Sequence, residues 1–167
     1  MSKEDLAKAL EQHLKWLRCK GGACADLSGA DLRSADLRSA NLSGALGVAS
    51  SAEWLRANTK TTKRGCILAY KAIGGTSYPA RSEWKIEPGA YLTEVVNPDR
   101  GVECACGVNV GTLDFVRRNY PAPTQGVWLV GIEPVDIADV VVPFHTDGKF
   151  RAGRVRLIRK LTKEEVG

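Results

Sequence analysis

The stretch Ala25–Gly44 reads ADLSGADLRSADLRSANLSG and repeats every five residues. Each unit runs Ala, Asp or Asn, Leu, a polar residue and a small one, which sets Leu27, Leu32, Leu37 and Leu42 at a spacing of five. That period fits neither the 3.6 residues of a helical turn nor the two of a strand, and either would scatter the leucines over several faces. A coil with four sides, one per unit, resolves the conflict. It turns every Leu inward, packs the Ala two positions earlier beneath it, and points Arg33 and Arg38 outward.

The pattern resembles the pentapeptide-repeat family. The resemblance implies a right-handed, four-sided β-helix in which four repeats complete one turn. A single turn cannot shield its own apolar centre, because repeat architectures bury their cores between stacked neighbours and caps. The sequence therefore predicts covers for it. One is a helix over Ser2–Cys19, capped by Ser2 with Asp5 at the third position and striped by Leu6, Leu10, Leu14 and Leu17, with Gly21 and Gly22 as its stop. The other cover must come from downstream of Ala45. On this reading the repeat is a structural plinth. Long acidic members of the family are thought to mimic DNA, a role that suits neither one turn nor its outward arginines.

Beyond it, "SSAEWLRAN" predicts a short helix with a Ser50/Glu53 capping box and with Trp54 and Leu55 facing inward. The polar run "TKTTKRG" marks a boundary, giving units 1–58 and 59–167. Strands are expected at Cys66–Ile73, "AYLTEVV", "ECACGVNV", "VWLVGIE", "ADVVVP" and "FRAGRVRLIRKL". A helix, "LDFVRRN", is expected to be capped by Thr112. The expected class is α+β: an N-terminal helix, one turn of quadrilateral β-helix, then a small, mostly antiparallel sheet domain with one main helix.

The segments "CGVNVGTLDFV" and "VVVPFHTDGKFR" resemble an uncharacterised domain that accompanies pentapeptide repeats in bacteriophage and bacterial proteins. Members often have "GLHVGT" where this chain has "GVNVGT", so Asn109 stands where they carry His. The resemblance implies a phage-type context and no established reaction.

The chain has 167 residues and a net charge of +5, and all of the excess falls in Lys149–Gly167, with seven basic and two acidic residues. Such a local excess argues against general nucleic-acid binding and leaves room for a local anion site. No apolar run approaches the ~20 residues that a membrane helix needs. The N-terminus lacks the apolar centre of a signal peptide, so the expected location is the cytoplasm, with reduced thiols.

Five features bear on chemistry. Cys104 and Cys106 form C-x-C on an expected strand, and with Cys19 and Cys24 they could supply four thiolates for zinc, though the spacing is irregular and a buried apolar role is the plainer one. The Asn109–Thr112 turn, with Gly111 before the cap, could turn backbone N–H groups toward an anion, or simply cap the helix. Arg154 and Arg156 share a strand face and could fork onto phosphate, or form a solvated face that deters edge pairing. If these groups and Lys71 converge, Tyr70, Trp84 and Tyr91 could stack on a base. Neither His13, beside the leucine stripe and read as a helix-flank or core-edge histidine, nor His145, in a turn beside Asp147, belongs to a catalytic set, and Glu133 and Asp136 read as turn and capping groups. The expected function is thus non-enzymatic binding of a host or phage protein or a small anionic, nucleotide-like ligand, with no cofactor and with counter-defence as a setting. Alternatives are an ADP-ribosyltransferase-like enzyme, whose nicotinamide-binding motifs are missing, and a purely structural, self-assembling protein that could form homo-oligomers.

Overall fold

The computed structural model describes the chain except residues 29, 31, 33–36, 38–39, 43–44, 75–80, 122–125 and 145. Arg33, Arg38 and His145 therefore lie outside the described residues.

Helix α1 spans Lys3–Leu17 and starts as expected, with the Ser2 hydroxyl accepting from the Asp5 N–H while Asp5 reaches back to Ser2. Its inner face differs from the four-leucine stripe. Leu14 is 41% exposed and His13 is fully buried. Three residues after Leu10, His13 lies on the helical continuation of Leu6 and Leu10, so helix geometry puts it where the stripe reading put Leu14. Cys19 takes a positive φ of 51° as the helix ends, before Gly21 and Gly22.

Past α1 the chain returns on itself. Asp26 and Leu46 form a parallel bridge, through Leu27 N–H to Leu46 carbonyl and Leu46 N–H to Ala25 carbonyl, each 2.9 Å. Leu27, Leu37 and Leu42 each accept from the N–H three residues on, at Ala30, Ala40 and Ala45. Gly47 crosses so close to Ser28 that an added Cβ would lie 2.4 Å from its backbone. Leu27, Leu37 and Leu42 are buried in one cluster with Ala25 and Ala45, and Leu6 and Leu10 of α1 and Phe144 pack against it. Among the described residues this segment has one bridge and no strand, and shows no β-helix.

Helix α2, Ser51–Asn58, has the expected Ser50/Glu53 capping box and sends Leu55 and Trp54 into the sheet core. Seven strands follow in one antiparallel sheet: β1 Lys60–Thr61, β2 Ile67–Ala72, β3 Tyr91–Thr93, β4 Val108–Gly111, β5 Val127–Ile132, β6 Lys149–Ala152 and β7 Arg154–Lys160. The order is β3-β7-β5-β2-β4-β6, with β1 on β2. Only Gly153 separates β6, at one end of that order, from β7, next to the other. The chain itself thus draws the two ends together and curls the sheet into a half-barrel. Its concave side holds Ile67, Ala69, Leu92, Val108, Val110, Val130, Ile132, Phe150, Ala152, Val155 and Leu157. Helix α3, Leu113–Asn119, packs Phe115 and Val116 against Ala72 and Val127, and α4, Lys163–Val166, closes the chain.

Three expected strands change. "FRAGRVRLIRKL" breaks at Gly153 into β6 and β7. Of "ADVVVP", Ala138 and Asp139 end a 3-10 turn, Pro134–Asp139, that Pro134 starts, and among the described residues only Val141 bridges, to Arg151. In "ECACGVNV" pairing starts at Val108, opposite Ala152. The residues before it lie in a loop gathered by the fully buried Arg151, whose Nε and Nη1 donate to the Asn97 and Val102 carbonyls at 2.8 and 2.9 Å and whose Nη2 donates to the Asp99 carbonyl. Cys104 and Cys106 therefore sit on an exposed loop, not a strand.

Candidate functional site

β2 keeps β5 as a neighbour along six residues but meets β4 at one couple only, Tyr70 with Gly111. Beyond Tyr70 the two strands part. Asn109 faces β6 through Arg151, so its carbonyl on the β2 side has no strand partner. The Lys71 ammonium takes that place, donating to the Asn109 carbonyl at 3.0 Å. The parting leaves a cavity of about 510 Å³, lined by Lys71, Trp84, Asn109, Lys149 and the rings of Tyr70 and Tyr120 among others. That volume lies within the range of small-molecule sites.

The electrostatics favour an anion. Burial pushes the Lys71 amine down to about 8, while the carboxylate of Glu94 pulls the other way. The ammonium also lies 5.4 Å from the centroid of the Trp84 ring, whose indole donates to the Thr93 carbonyl. Lys149, buried on β6, brings its Nζ to 2.7 Å from Cys104 Sγ at the same cavity. Arg81 at the rim pairs with Glu94, and that hydrogen bond raises the guanidinium's pKa. Arg81 and Glu94 cancel, which leaves the charges of Lys71 and Lys149 facing the cavity. Asn109 donates its amide to the Ala105 and Gly107 carbonyls, and its buried Oδ1 has no partner among the described residues.

Of the residues singled out from sequence, Lys71, Asn109, Tyr70, Trp84, Cys104 and Cys106 line this cavity, whereas Gly111, Thr112, Tyr91, Arg154 and Arg156 do not. Gly111 lacks a side chain for a packing reason, since a Cβ would fall 2.5 Å from the Phe115 ring. The Thr112 N–H is taken by the Gly148 carbonyl at 2.9 Å and its hydroxyl accepts from Phe115 N–H, so ordinary capping occupies that turn. Arg154 and Arg156 alternate with the buried Val155 and Leu157, as their spacing predicts, but β7 is flanked by β3 and β5 and is no edge. Arg154 Nε lies 3.1 Å from each oxygen of Asp136 and its guanidinium covers the Tyr91 ring; Arg156 Nε donates to Glu133 at 3.0 Å. Glu133 and Asp136 thus serve as counter-charges rather than caps, and Tyr91 lies with the arginines, outside the cavity. The four cysteines do not assemble: among the described residues no three His, Cys, Asp or Glu side chains gather as metal ligands.

Arg81 was missed by the sequence reading, and Lys149 was grouped there with the arginines of the last strand, because long-range strand pairing alone sets Lys149 opposite Gly111, itself opposite Tyr70. A second, wider groove at the repeat, lined by Leu42, Ala45, Arg100 and Phe144, has its cation already spent: Arg100 donates to the Val142 and Ala49 carbonyls and stacks on Phe144.

Residues 23–46 match the family model for pentapeptide repeats, described as having eight copies. The pentapeptide-repeat segment is thus the part of the chain with a recognised pattern. No curated protein and no solved structure matches the chain. No helix among the described residues is long and apolar enough to cross a membrane.

Proposed function

We propose that this protein is a binding module that holds a small anionic ligand bearing a planar ring in the cavity between β2 and β4. The observation that carries the reading is Lys71. A lysine amine is held beside an opened strand pair, against an indole face, in a cavity of ligand size whose second cation is Lys149. Tyr70, Trp84 and Tyr120 offer rings for a base, and the two ammonium groups offer charge for phosphate. A nucleotide-like ligand meets both demands.

The pentapeptide-repeat segment fits a single turn of four-sided coil that serves as a plinth. The return from Asp26 to Leu46 after twenty residues supports this, as do the turns at Leu27, Leu37 and Leu42. In the phage-type setting that the C-terminal resemblance implies, sequestering a signal nucleotide inside a host would suit such a module. Calorimetric titration with AMP, ADP-ribose and a cyclic dinucleotide tests the binding reading. Saturable heat with at least one is expected, and silence with all three overturns it.

A further inference from the structure

Lys71 combines features that a binding cation does not need. A cation that only attracts phosphate works best fully charged and wet. Lys71 instead sits where β2 and β4 part, is anchored by a hydrogen bond to a backbone carbonyl, and lines a cavity together with Trp84, Tyr70 and Asn109. An amine in such a place is a nucleophile in waiting, because burial disfavours the ammonium and gives Lys71 a larger share of free amine near neutral pH than a surface lysine has. A second cation in the same cavity, Lys149, can hold an acidic group of the ligand while the amine reacts.

Resting on the cavity reading above, we propose that Lys71 captures its ligand covalently, as a Schiff base with an aldehyde or ketone that also carries an anionic group. Nζ adds to the carbonyl carbon, a proton passes from nitrogen to oxygen, and the carbinolamine loses that oxygen as water. A C=N bond replaces C=O, and no oxidant, reductant or metal takes part. The Asn109 carbonyl holds the amine in place before attack. The charged groups that face Lys71 are Glu94 and Arg81, paired with each other, and Lys149, with the thiols of Cys104 and Cys106 and the phenols of Tyr70 and Tyr120 on the same walls.

The test uses the full chain and pyridoxal 5′-phosphate, a probe that joins an aldehyde, a ring and a phosphate. Incubation at pH 7.5, borohydride reduction and peptide mass spectrometry locate the adduct among the 11 lysines. Lys71 should carry at least about ten times the label of any exposed lysine, as its lowered pKa favours the free amine. Lys71→Arg, which keeps a donor for Asn109, should remove that label while retaining the circular dichroism spectrum of the parent. Label spread over surface lysines with Lys71 unmodified overturns the proposal. If calorimetry still shows the probe or a nucleotide bound without label at Lys71, covalent capture falls and the binding site stands; if neither binding nor label occurs, both fall.

Discussion

At the scale of the residue, buried polar groups determine where this chain is stable and where it is not. Lys71 is the costly one. Its amine has a lower pKa in the folded protein, about 8, than its ordinary 10.5, so between those values the unfolded chain holds more protons. Stability from this position therefore rises with pH through that window and is lowest below pH 8, where both states are charged and the folded one bears the full desolvation cost. Lys71→Met should raise stability at pH 7 by on the order of 2 kcal/mol, less than the whole shift implies because the Asn109 carbonyl loses its donor, and should flatten the pH dependence between 8 and 10.5. Urea denaturation at several pH values, comparing the variant with the parent, checks both. Arg151 has the opposite role. Burial lowers its pKa, yet its guanidinium satisfies three backbone carbonyls of the loop that leads to Cys104. Arg151→Met orphans those carbonyls and should cost about 3 kcal/mol, read as a fall in urea midpoint, with broadening of the resonances of Asn97–Cys106.

At the scale of the element, caps and periodicity were legible in the sequence, while pairing was not. Both capping boxes and the Thr112 cap depend on residues at most three apart, and the structure has all three. The leucine spacing of five likewise foretold an inward-facing cluster. His13, expected at a helix flank or the edge of the core, is fully buried, and its place three residues after Leu10 was the readable signal. Its Nδ1 accepts the Ala25 N–H at 3.2 Å, and its ring stacks on Trp16, which fastens α1 to the start of the pentapeptide-repeat segment. His13→Leu keeps the apolar volume and loses the acceptor, so it should cost about 1–3 kcal/mol, or roughly 2–4 °C of melting temperature per kcal/mol. An unchanged melting temperature would show that α1 is held by Leu6 and Leu10 alone. Strand extents failed where long-range partners decide them. Nothing local in "ECACGVNV" says that pairing waits for Val108, or in "FRAGRVRLIRKL" that Gly153 divides one run into two strands, one at an end of the sheet order and one beside the other end.

At the scale of the whole molecule, closure of the sheet moves the candidate site. The sequence offered two cationic sets, Lys71 with the Asn109–Thr112 turn and the arginines of the last strand, and could not show whether they meet. The sheet order separates them. Arg154 and Arg156 pair with Asp136 and Glu133, and the register that sets Lys149 opposite Gly111, itself opposite Tyr70, puts Lys149 at the cavity that holds Lys71. The central claim is therefore that binding depends on the parted strands β2 and β4, not on the arginine face of β7. The most direct measurement is one calorimetric series: the ligand that gives heat with the parent protein, titrated into Lys71→Met and into Arg154→Ala. The account predicts that Lys71→Met loses binding and that Arg154→Ala keeps the parent's affinity. Binding that survives Lys71→Met and disappears with Arg154→Ala would contradict it.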